Sequence, residues 1–168
     1  MKSPDLQHFK IYTIGHGNRQ VDELIHLLQQ NNIGMVIDVR SLPYSRFHPQ
    51  FKQINLRNSL EGAGITYLWL GKELGGKPAD PNLYRNGKVD YRAMKETELF
   101  KQGIQQLLKL AGGNVKVTLI CSERDQNECH RKHLIAEELV KFGVTVLHIN
   151  KAGTIEQHVN IDDYSLFN

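Results

Sequence analysis

Val115-Lys116-Val117-Thr118-Leu119-Ile120 is a strand-length, largely apolar segment that leads directly into Cys121. Four more segments of this kind lie at residues 11–14, 35–37, 65–70 and 144–149. Between them, apolar residues recur at helical spacing around residues 21–28, 53–63, 98–110 and 128–142. This alternation predicts an α/β fold, a single-domain, mostly parallel five-stranded sheet with helices on both faces, in a Rossmann-like three-layer sandwich.

Length and composition fit one domain. The 168 residues are 40% hydrophobic and 23% charged, so we expect a single α/β domain over residues 1–168. It should end in a weakly patterned tail at 151–168 with a short helix near 154–158.

Two cysteines and no charged-then-apolar leader favour a reducing cytoplasm over secretion. The apolar runs are too short to span a membrane. The sequence leaves the oligomeric state open.

The loop after the second predicted strand carries the first group of candidate site residues. Asp38, Arg40, Ser41 and Arg46 lie at or just after the end of that strand, and residues 39–60 contain no Asp or Glu. Arginine forks pair well with phosphates and carboxylates, so Arg40, Ser41 and Arg46 are predicted to bind an anion. Asp38 is predicted either to orient Arg40 or to act as a general base. The alternative is that these arginines are solvated surface residues.

The loop after the fourth predicted strand carries the second group. Cys129 is expected at or just before the start of a helix, where amide N–H groups and the helix dipole favour a thiolate. His130 and Arg131 add positive charge, and Arg131 is a further candidate anion ligand. We therefore predict Cys121, Glu123, Cys129 and His130 near the chemistry, as nucleophile, redox centre or proton-transfer groups. The alternative is that Cys121 ends a buried strand and Cys129 merely helps to cap a helix.

A zinc site is a second interpretation of the same segment. It would use Cys121, Cys129, His130 and His133, because Cys129 and His133 are four residues apart on one helix face. The interval between the two cysteines is too long for the usual paired-ligand motif, and Arg131 lies beside the proposed ligands. The sequence therefore assigns no metal to the site and leaves its cofactor undetermined.

Two other segments carry weaker signals. Residues 15–18 follow the first strand with two glycines but lack the third glycine of the dinucleotide-binding motif; His16 is predicted to face the same pocket or else to be packed or solvated. The long segment 71–91 has no clear periodicity and is expected to be functional or mobile. Aromatic and cationic residues suited to stacking a base and holding phosphates lie in or beside it, as they would in an ordinary exposed loop: Tyr84, Arg85, Lys88, Tyr91 and Arg92.

Several segments together resemble the bacterial and archaeal domain-of-unknown-function family 488. They lie at residues 13–18, 38–46, 49–51, 74–76, 121–123 and 129–131, and thus extend over almost the whole chain. Gly17 and Lys52 stand where serine and asparagine are common in the family. The resemblance implies a compact α/β domain and supplies no reaction.

A looser similarity connects the chain to rhodanese-like domains, in which a strand ending in Asp-x-Arg precedes a strand that delivers a catalytic cysteine. Asp38, Arg40 and Cys121 follow that order. The segment after Cys121 is acidic and lacks the small, glycine-bearing loop of a rhodanese, and acidic groups would raise the pKa of the thiol. Sulfur transfer at a cysteine is therefore an alternative function.

The leading functional prediction is an enzyme that acts on a phosphate-bearing substrate, a nucleotide or nucleic acid, in a Cys/His/Arg/Asp pocket at the carboxyl ends of the strands. A non-catalytic nucleic-acid-binding module is the main alternative, in which the cysteines are structural. A scaffold whose polar residues only hold loops together is the third. Enzyme is placed first because the reactive groups converge on loops at strand ends.

Overall fold

A central sheet organises the chain, and the computed structural model describes residues 9–125, 127 and 129–160. Six strands form this sheet in the order β3-β2-β6-β1-β7-β8, and a separate two-stranded hairpin contains β4 and β5. The first five strands of the order are mutually parallel, whereas β8 pairs antiparallel with β7. The strands are β1 (Lys10–Gly15), β2 (Ile33–Asp38), β3 (Thr66–Trp69), β4 (Tyr84–Arg85), β5 (Lys88–Val89), β6 (Lys116–Cys121), β7 (Thr145–Ile149) and β8 (Ile155–Gln157).

Helices cover both faces of the sheet, which confirms the predicted α/β fold. They are α1 (Val21–Gln30), α2 (Gln53–Gly62), α3 (Gly71–Leu74), α4 (Tyr91–Lys95), α5 (Glu98–Ala111), a π-helical segment (Arg131–Ala136) and α6 (Glu137–Lys141). Leu24 of α1 and Leu56 of α2 belong to one apolar core. Ile104 of α5 and Leu139 of α6 belong to the core on the other face.

The position of β6 creates the crevice in which the site lies. The strand runs between β1 and β2, and its parallel register aligns Cys121 with Gly15 and Ile120 with Asp38. The chain leaves β1 and β2 toward α1 and α2 on one face, but leaves β6 toward the π-helical segment and α6 on the other. Neighbouring loops therefore diverge around the end of β6, which is the usual place of a ligand crevice in an open α/β sheet.

Three details differ from the sequence-based predictions. Residues 155–157 form the antiparallel edge strand β8, so the short helix expected near 154–158 is wrong. The backbone there pairs with β7 from Leu147 to Ile149, a contact that the local sequence does not reveal. The segment 71–91 contains α3, a 3-10 turn and the β4–β5 hairpin. The helix expected from about residue 128 opens as a π-helical segment at Arg131, and Glu128 itself lies outside the described residues.

No helix within the described part of the chain is long and apolar enough to cross a membrane. The expected ends of the domain at residues 1–8 and 161–168 lie outside the described residues.

Candidate functional site

A pocket of about 450 Å³ opens at the carboxyl ends of β2 and β6. The two predicted loops meet there with a third segment, which follows α3. Its lining residues are Arg40, Ser41, Leu42, Tyr44, Gly76, Lys77, Tyr91, Cys121, Ser122, Glu123, Cys129 and His130. The pocket thus contains six of the ten residues predicted as site residues from the sequence.

Asp38 and Arg40 form a fully buried ion pair beneath the pocket. Arg40 donates from Nε to Asp38 Oδ1 at 2.9 Å and from Nη2 to Asp38 Oδ2 at 2.7 Å. The hydroxyl of Tyr67 donates to the same Oδ2 at 2.6 Å. Burial and the neighbouring Asp38 carboxylate raise the pKa of Tyr67, so its hydroxyl keeps the donated hydrogen. Asp38 therefore orients Arg40, one of its two predicted roles.

The rest of the Arg40 guanidinium is also directed into the protein. Nη1 donates to the carbonyl of Phe51 at 2.8 Å and lies 3.4 Å from Nε2 of His16. The His16 ring stacks on the Phe51 ring at a centroid distance of 4.3 Å, and its Nδ1 donates to the carbonyl of Gly17 at 2.8 Å. Burial lowers the pKa of His16 to about 4. Neutral His16 thus accepts from Arg40 and is packed rather than aimed at the pocket.

Cys121 and Cys129 are joined by a disulfide on the pocket wall. Cys121 ends β6, while Cys129 precedes the π-helical segment and accepts a hydrogen bond at Sγ from the backbone N–H of Arg131 at 3.5 Å. The two cysteines of the chain are therefore bonded to each other. The sequence alone did not determine this pairing.

His130 lies against this cysteine pair in one defined orientation. Its Nε2 is 3.1 Å from the carbonyl oxygen of Val39, and its Nδ1 is 3.6 Å from Cys129 Sγ. A carbonyl only accepts, so Nε2 carries the hydrogen and Nδ1 presents a lone pair toward the sulfur. Burial lowers the pKa of His130 to about 4, which keeps the ring neutral.

Arg131 lies behind the cysteine pair and is absent from the pocket lining, with Nη1 3.7 Å from Cys121 Sγ. Its guanidinium donates from Nη1 to the carbonyl of Glu123 at 2.5 Å and from Nη2 to the carbonyl of Arg124 at 3.4 Å. Nε donates to Thr13 Oγ1 at 3.3 Å, and the side chain is fully buried. Burial lowers its pKa to about 10, so it stays charged at neutral pH. In this position Arg131 holds the loop after β6 in place and does not line the pocket.

Thr13 connects Arg131 to a second buried histidine. Its Oγ1 lies 2.6 Å from Nδ1 of His148, whose Nε2 lies 3.0 Å from Nδ1 of His158. Burial lowers the pKa of His148 to about 3. Sequence reasoning missed this chain because it joins β1, β7 and the residue after β8, which are far apart in the sequence.

Lys77 is a cation of the pocket that sequence reasoning also missed. Its backbone N–H donates to Ser41 Oγ at 2.8 Å, so the predicted residue Ser41 positions the segment that carries the lysine. A side chain at Gly75 would overlap Ser41 Oγ, and one at Gly76 would lie 2.8 Å from Cγ of His130. The one feature of the sequence that could have indicated this close packing is the pair of glycines just before Lys77 in a long loop.

Of the two remaining predicted site residues, Glu123 lines the pocket and Arg46 does not. Glu123 is exposed and lines the pocket. Arg46 is exposed on the loop beyond the pocket lining, with its guanidinium carbon 5.7 Å from the ring centroid of Phe47. Of the aromatic and cationic residues singled out around segment 71–91, Tyr91 lines the pocket. The three cations Arg85, Lys88 and Arg92 line a separate depression of about 500 Å³.

Fold and site together define a parallel α/β protein with a cysteine- and histidine-centred pocket at the switch point of its sheet. The family described as Domain of unknown function DUF488 matches residues 20–137, and the chain belongs to that family. This confirms the resemblance noted in the sequence. No curated protein matches the chain. No solved structure matches it either.

Proposed function

We propose that the protein is an enzyme that acts on a phosphate-bearing substrate, a nucleotide or a nucleic acid, in the pocket at the end of β6. One observation carries the proposal: the Cys121–Cys129 pair, His130 and Glu123 share a pocket of about 450 Å³ with a lysine and two tyrosines. A volume of this size accommodates a small organic ligand. Potential reactive groups and potential binding groups thus face the same space.

The binding groups suit the two parts of a nucleotide. Tyr44 and Tyr91 offer aromatic surface for a base, since stacking tolerates any base. Lys77 offers a charge to the phosphate. Arg40 contributes less than the sequence predicted, because Asp38, Phe51 and His16 already engage all three of its nitrogen atoms. In the proposal, Arg40 acts mainly by holding its loop in place.

The proposed reacting groups line the same pocket. Glu123 is exposed there and is suited to exchange a proton with substrate or water. Neutral His130 presents Nδ1 beside Cys129, which is suited to accept the thiol proton once the cysteines are reduced. We therefore assign proton transfer to Glu123 and His130, and the nucleophile or its stabilisation to the cysteines.

The non-catalytic nucleic-acid-binding alternative has support of its own. Leu42, Tyr44 and Phe47 are 79%, 62% and 81% exposed on one loop, and this loop also carries Arg46. Lys52 Nζ lies 5.0 Å from the centroid of the Tyr44 ring. Exposed aromatic side chains among cations are typical of surfaces that bind single-stranded nucleic acid. Sulfur transfer stays a prediction of the sequence, for which the pocket offers no separate observation.

Calorimetric binding of ATP, GTP and a short single-stranded oligonucleotide by the reduced protein tests both functions. If the pocket binds the phosphate, Lys77→Ala weakens binding of mononucleotides and oligonucleotide by about 10-fold. Arg46→Ala and Phe47→Ala then weaken only the oligonucleotide. Lys109→Ala, an exposed lysine on α5, serves as the matched control and leaves both affinities unchanged.

Catalysis is tested separately by following the same nucleotides with chromatography and mass spectrometry. The enzyme proposal expects a new product with the wild type that is absent with Glu123→Gln, while nucleotide binding persists. Binding of oligonucleotide alone, with no product and no effect of Lys77→Ala, would reject the enzyme and favour the binding module.

A further inference from the structure

We propose that the reduced form of the protein binds one Zn²⁺ ion through Cys121, Cys129 and His130, and that disulfide formation between the two cysteines releases it. The zinc site goes beyond the proposed function and uses the same three side chains. In the metal-free reduced protein they are the proton acceptor and nucleophile proposed above, whereas in the zinc-bound form their lone pairs bind the ion. One ligand atom from each of these three residues lies within 4.8 Å of the other two.

The hydrogen bond of His130 Nε2 leaves Nδ1 free to bind a metal ion. Metal-binding histidines usually donate the distant ring N–H to a backbone carbonyl or carboxylate, which fixes the tautomer and the ring plane. His130 makes this contact through Nε2 to the carbonyl of Val39 at 3.1 Å. Gly76 packs so closely on the ring that a Cβ there would lie 2.9 Å from Nδ1. The lone pair of Nδ1 is thus directed by two independent segments, both outside the cysteine loop.

The backbone spacing of the cysteines also suits an ion. Their Cα atoms are 7.6 Å apart, whereas the Cα atoms of a disulfide are usually about 4.4–6.8 Å apart. Two thiolates that share a Zn²⁺ ion are separated by two metal–sulfur bonds of about 2.3 Å each. Cys121 ends a central strand, whereas Cys129 lies two residues before the π-helical segment and accepts a hydrogen bond at Sγ from the backbone N–H of Arg131.

The donor set selects zinc and leaves one position open. Two thiolates and one imidazole are a soft-to-borderline set that favours Zn²⁺ over Mg²⁺ or Ca²⁺. Three protein ligands are typical of reactive zinc sites, in which water or substrate occupies the fourth position. All three ligand residues line the pocket together with Glu123, so water or substrate in the pocket would have access to such an ion. His133, the fourth ligand considered from the sequence, is exposed, with Nε2 2.6 Å from the carbonyl of Asn127.

The redox step balances with a peroxide as oxidant. Zn²⁺ binding to the dithiol releases two protons from sulfur. Oxidation of the two zinc-bound thiolates by one hydrogen peroxide forms the S–S bond, breaks the O–O bond, consumes two protons and yields two waters and free Zn²⁺. A thiol reductant reverses the oxidation, because it returns two electrons and two protons to the sulfurs.

The test uses the full chain, reduced, stripped of metal with a chelator and titrated with Zn²⁺ or Co²⁺. We expect about one metal per chain and, with Co²⁺, the thiolate charge-transfer and tetrahedral d–d absorption bands. His130→Ala weakens Zn²⁺ binding by about 10-fold or more and Cys129→Ser by at least as much. His133→Ala is the matched control and leaves affinity unchanged. Circular dichroism confirms that each variant is folded.

Peroxide treatment of the zinc-loaded wild type completes the test. Release of Zn²⁺ in step with the loss of two titratable thiols supports the proposal, as does recovery of binding after reduction. Substoichiometric zinc in the folded, reduced wild type would overturn it, as would Co²⁺ binding without a thiolate band. Each of these results is independent of nucleotide affinity, so failure of the metal site and failure of the proposed enzyme are separable.

Discussion

Asp38 meets Arg40 through both carboxylate oxygens, and the two side chains are 0% and 3% exposed. The pair is completed by hydrogen bonds from Tyr67 to Asp38 and from Arg40 to Phe51. A buried ion pair is stable only when the remaining hydrogen-bonding groups of both side chains have partners. If either residue were removed, the other would be a buried, unpaired charge. The ion pair thereby connects β2, β3 and the segment before α2 at the edge of the pocket.

Removal of one member of this pair should be severe. We expect Asp38→Ala to lower the free energy of unfolding by about 3–5 kcal/mol, because Arg40 is then left buried without its carboxylate. Urea denaturation measures the change. Glu96→Ala is the control, since Glu96 pairs with Lys101 at the surface, and such exposed pairs contribute about 0–1 kcal/mol. Equal effects of the two substitutions would contradict this account.

The fold should weaken in mild acid because His16, His130 and His148 are buried in neutral form. Burial lowers the pKa of His16 and of His130 to about 4 and that of His148 to about 3, while all three titrate near 6.5 in the unfolded chain. Below about pH 6.5 the unfolded chain binds more protons, so stability falls with pH by up to about 1.4 kcal/mol per pH unit for each histidine. Above that pH both states are neutral and the dependence disappears.

Unfolding free energies measured from about pH 7 to about pH 5 test this expectation, which amounts to about 2 kcal/mol for each histidine over that interval. His148→Gln should flatten the dependence by one histidine's share, whatever its effect on absolute stability. His26→Gln, at an exposed position on α1, should leave the slope as it is. An unchanged slope in His148→Gln would refute the assignment.

Arg131 should order the loop after β6 rather than bind substrate. Arg131→Lys removes the fork that holds the carbonyls of Glu123 and Arg124. These contacts are partly buried, so the expected loss is at the low end of the ~1–3 kcal/mol that an unpaired buried acceptor costs. We expect faster amide hydrogen exchange in residues 122–125 and a lower melting temperature. Lys141→Ala, an exposed residue on α6, is the control. Wild-type exchange in Arg131→Lys, combined with lost ligand affinity, would instead favour the anion-binding role.

Substitution of glycines that pack closely at the site should destabilise the protein, because a side chain there would overlap neighbouring atoms. A Cβ at Gly15 would overlap the carbonyl of Glu123, whereas a Cβ at Gly62 would meet nothing within 4 Å. Gly15→Ala is therefore expected to lose several kcal/mol, of the order of an overpacked core. Gly62→Ala, at the end of α2, should be neutral or gain up to about 1 kcal/mol from helix propensity. Thermal melts of the two variants compare them directly, and a stable Gly15→Ala protein would disprove the close approach.

The sequence predicted the strands well, because a buried parallel strand is recorded locally as a short apolar run. It also placed Asp38 and Cys121 correctly at strand ends. It could not predict the insertion of β6 between β1 and β2, which brings those residues together. Arg131 resembles any surface cation in the sequence, since its burial depends on carbonyls eight and seven residues earlier that only the folded loop presents. Lys77 lies in a loop without hydrophobic periodicity, so the sequence pattern could not predict that this residue lines the pocket.

The close packing at Gly15, Gly71 and Gly75 has a consequence for comparing relatives of this chain. At each position a side chain would collide with another loop of the site, through the carbonyl of Glu123, the carbonyl of Arg40 or the hydroxyl of Ser41. These glycines are therefore required for the packing of the loops against each other. Their presence in a relative would not indicate which molecule, if any, binds between the loops. Relatives with different substrates are expected to share the glycines and to diverge at Tyr44, Lys77 and Tyr91, so those three positions are the ones to read when sorting the family by ligand.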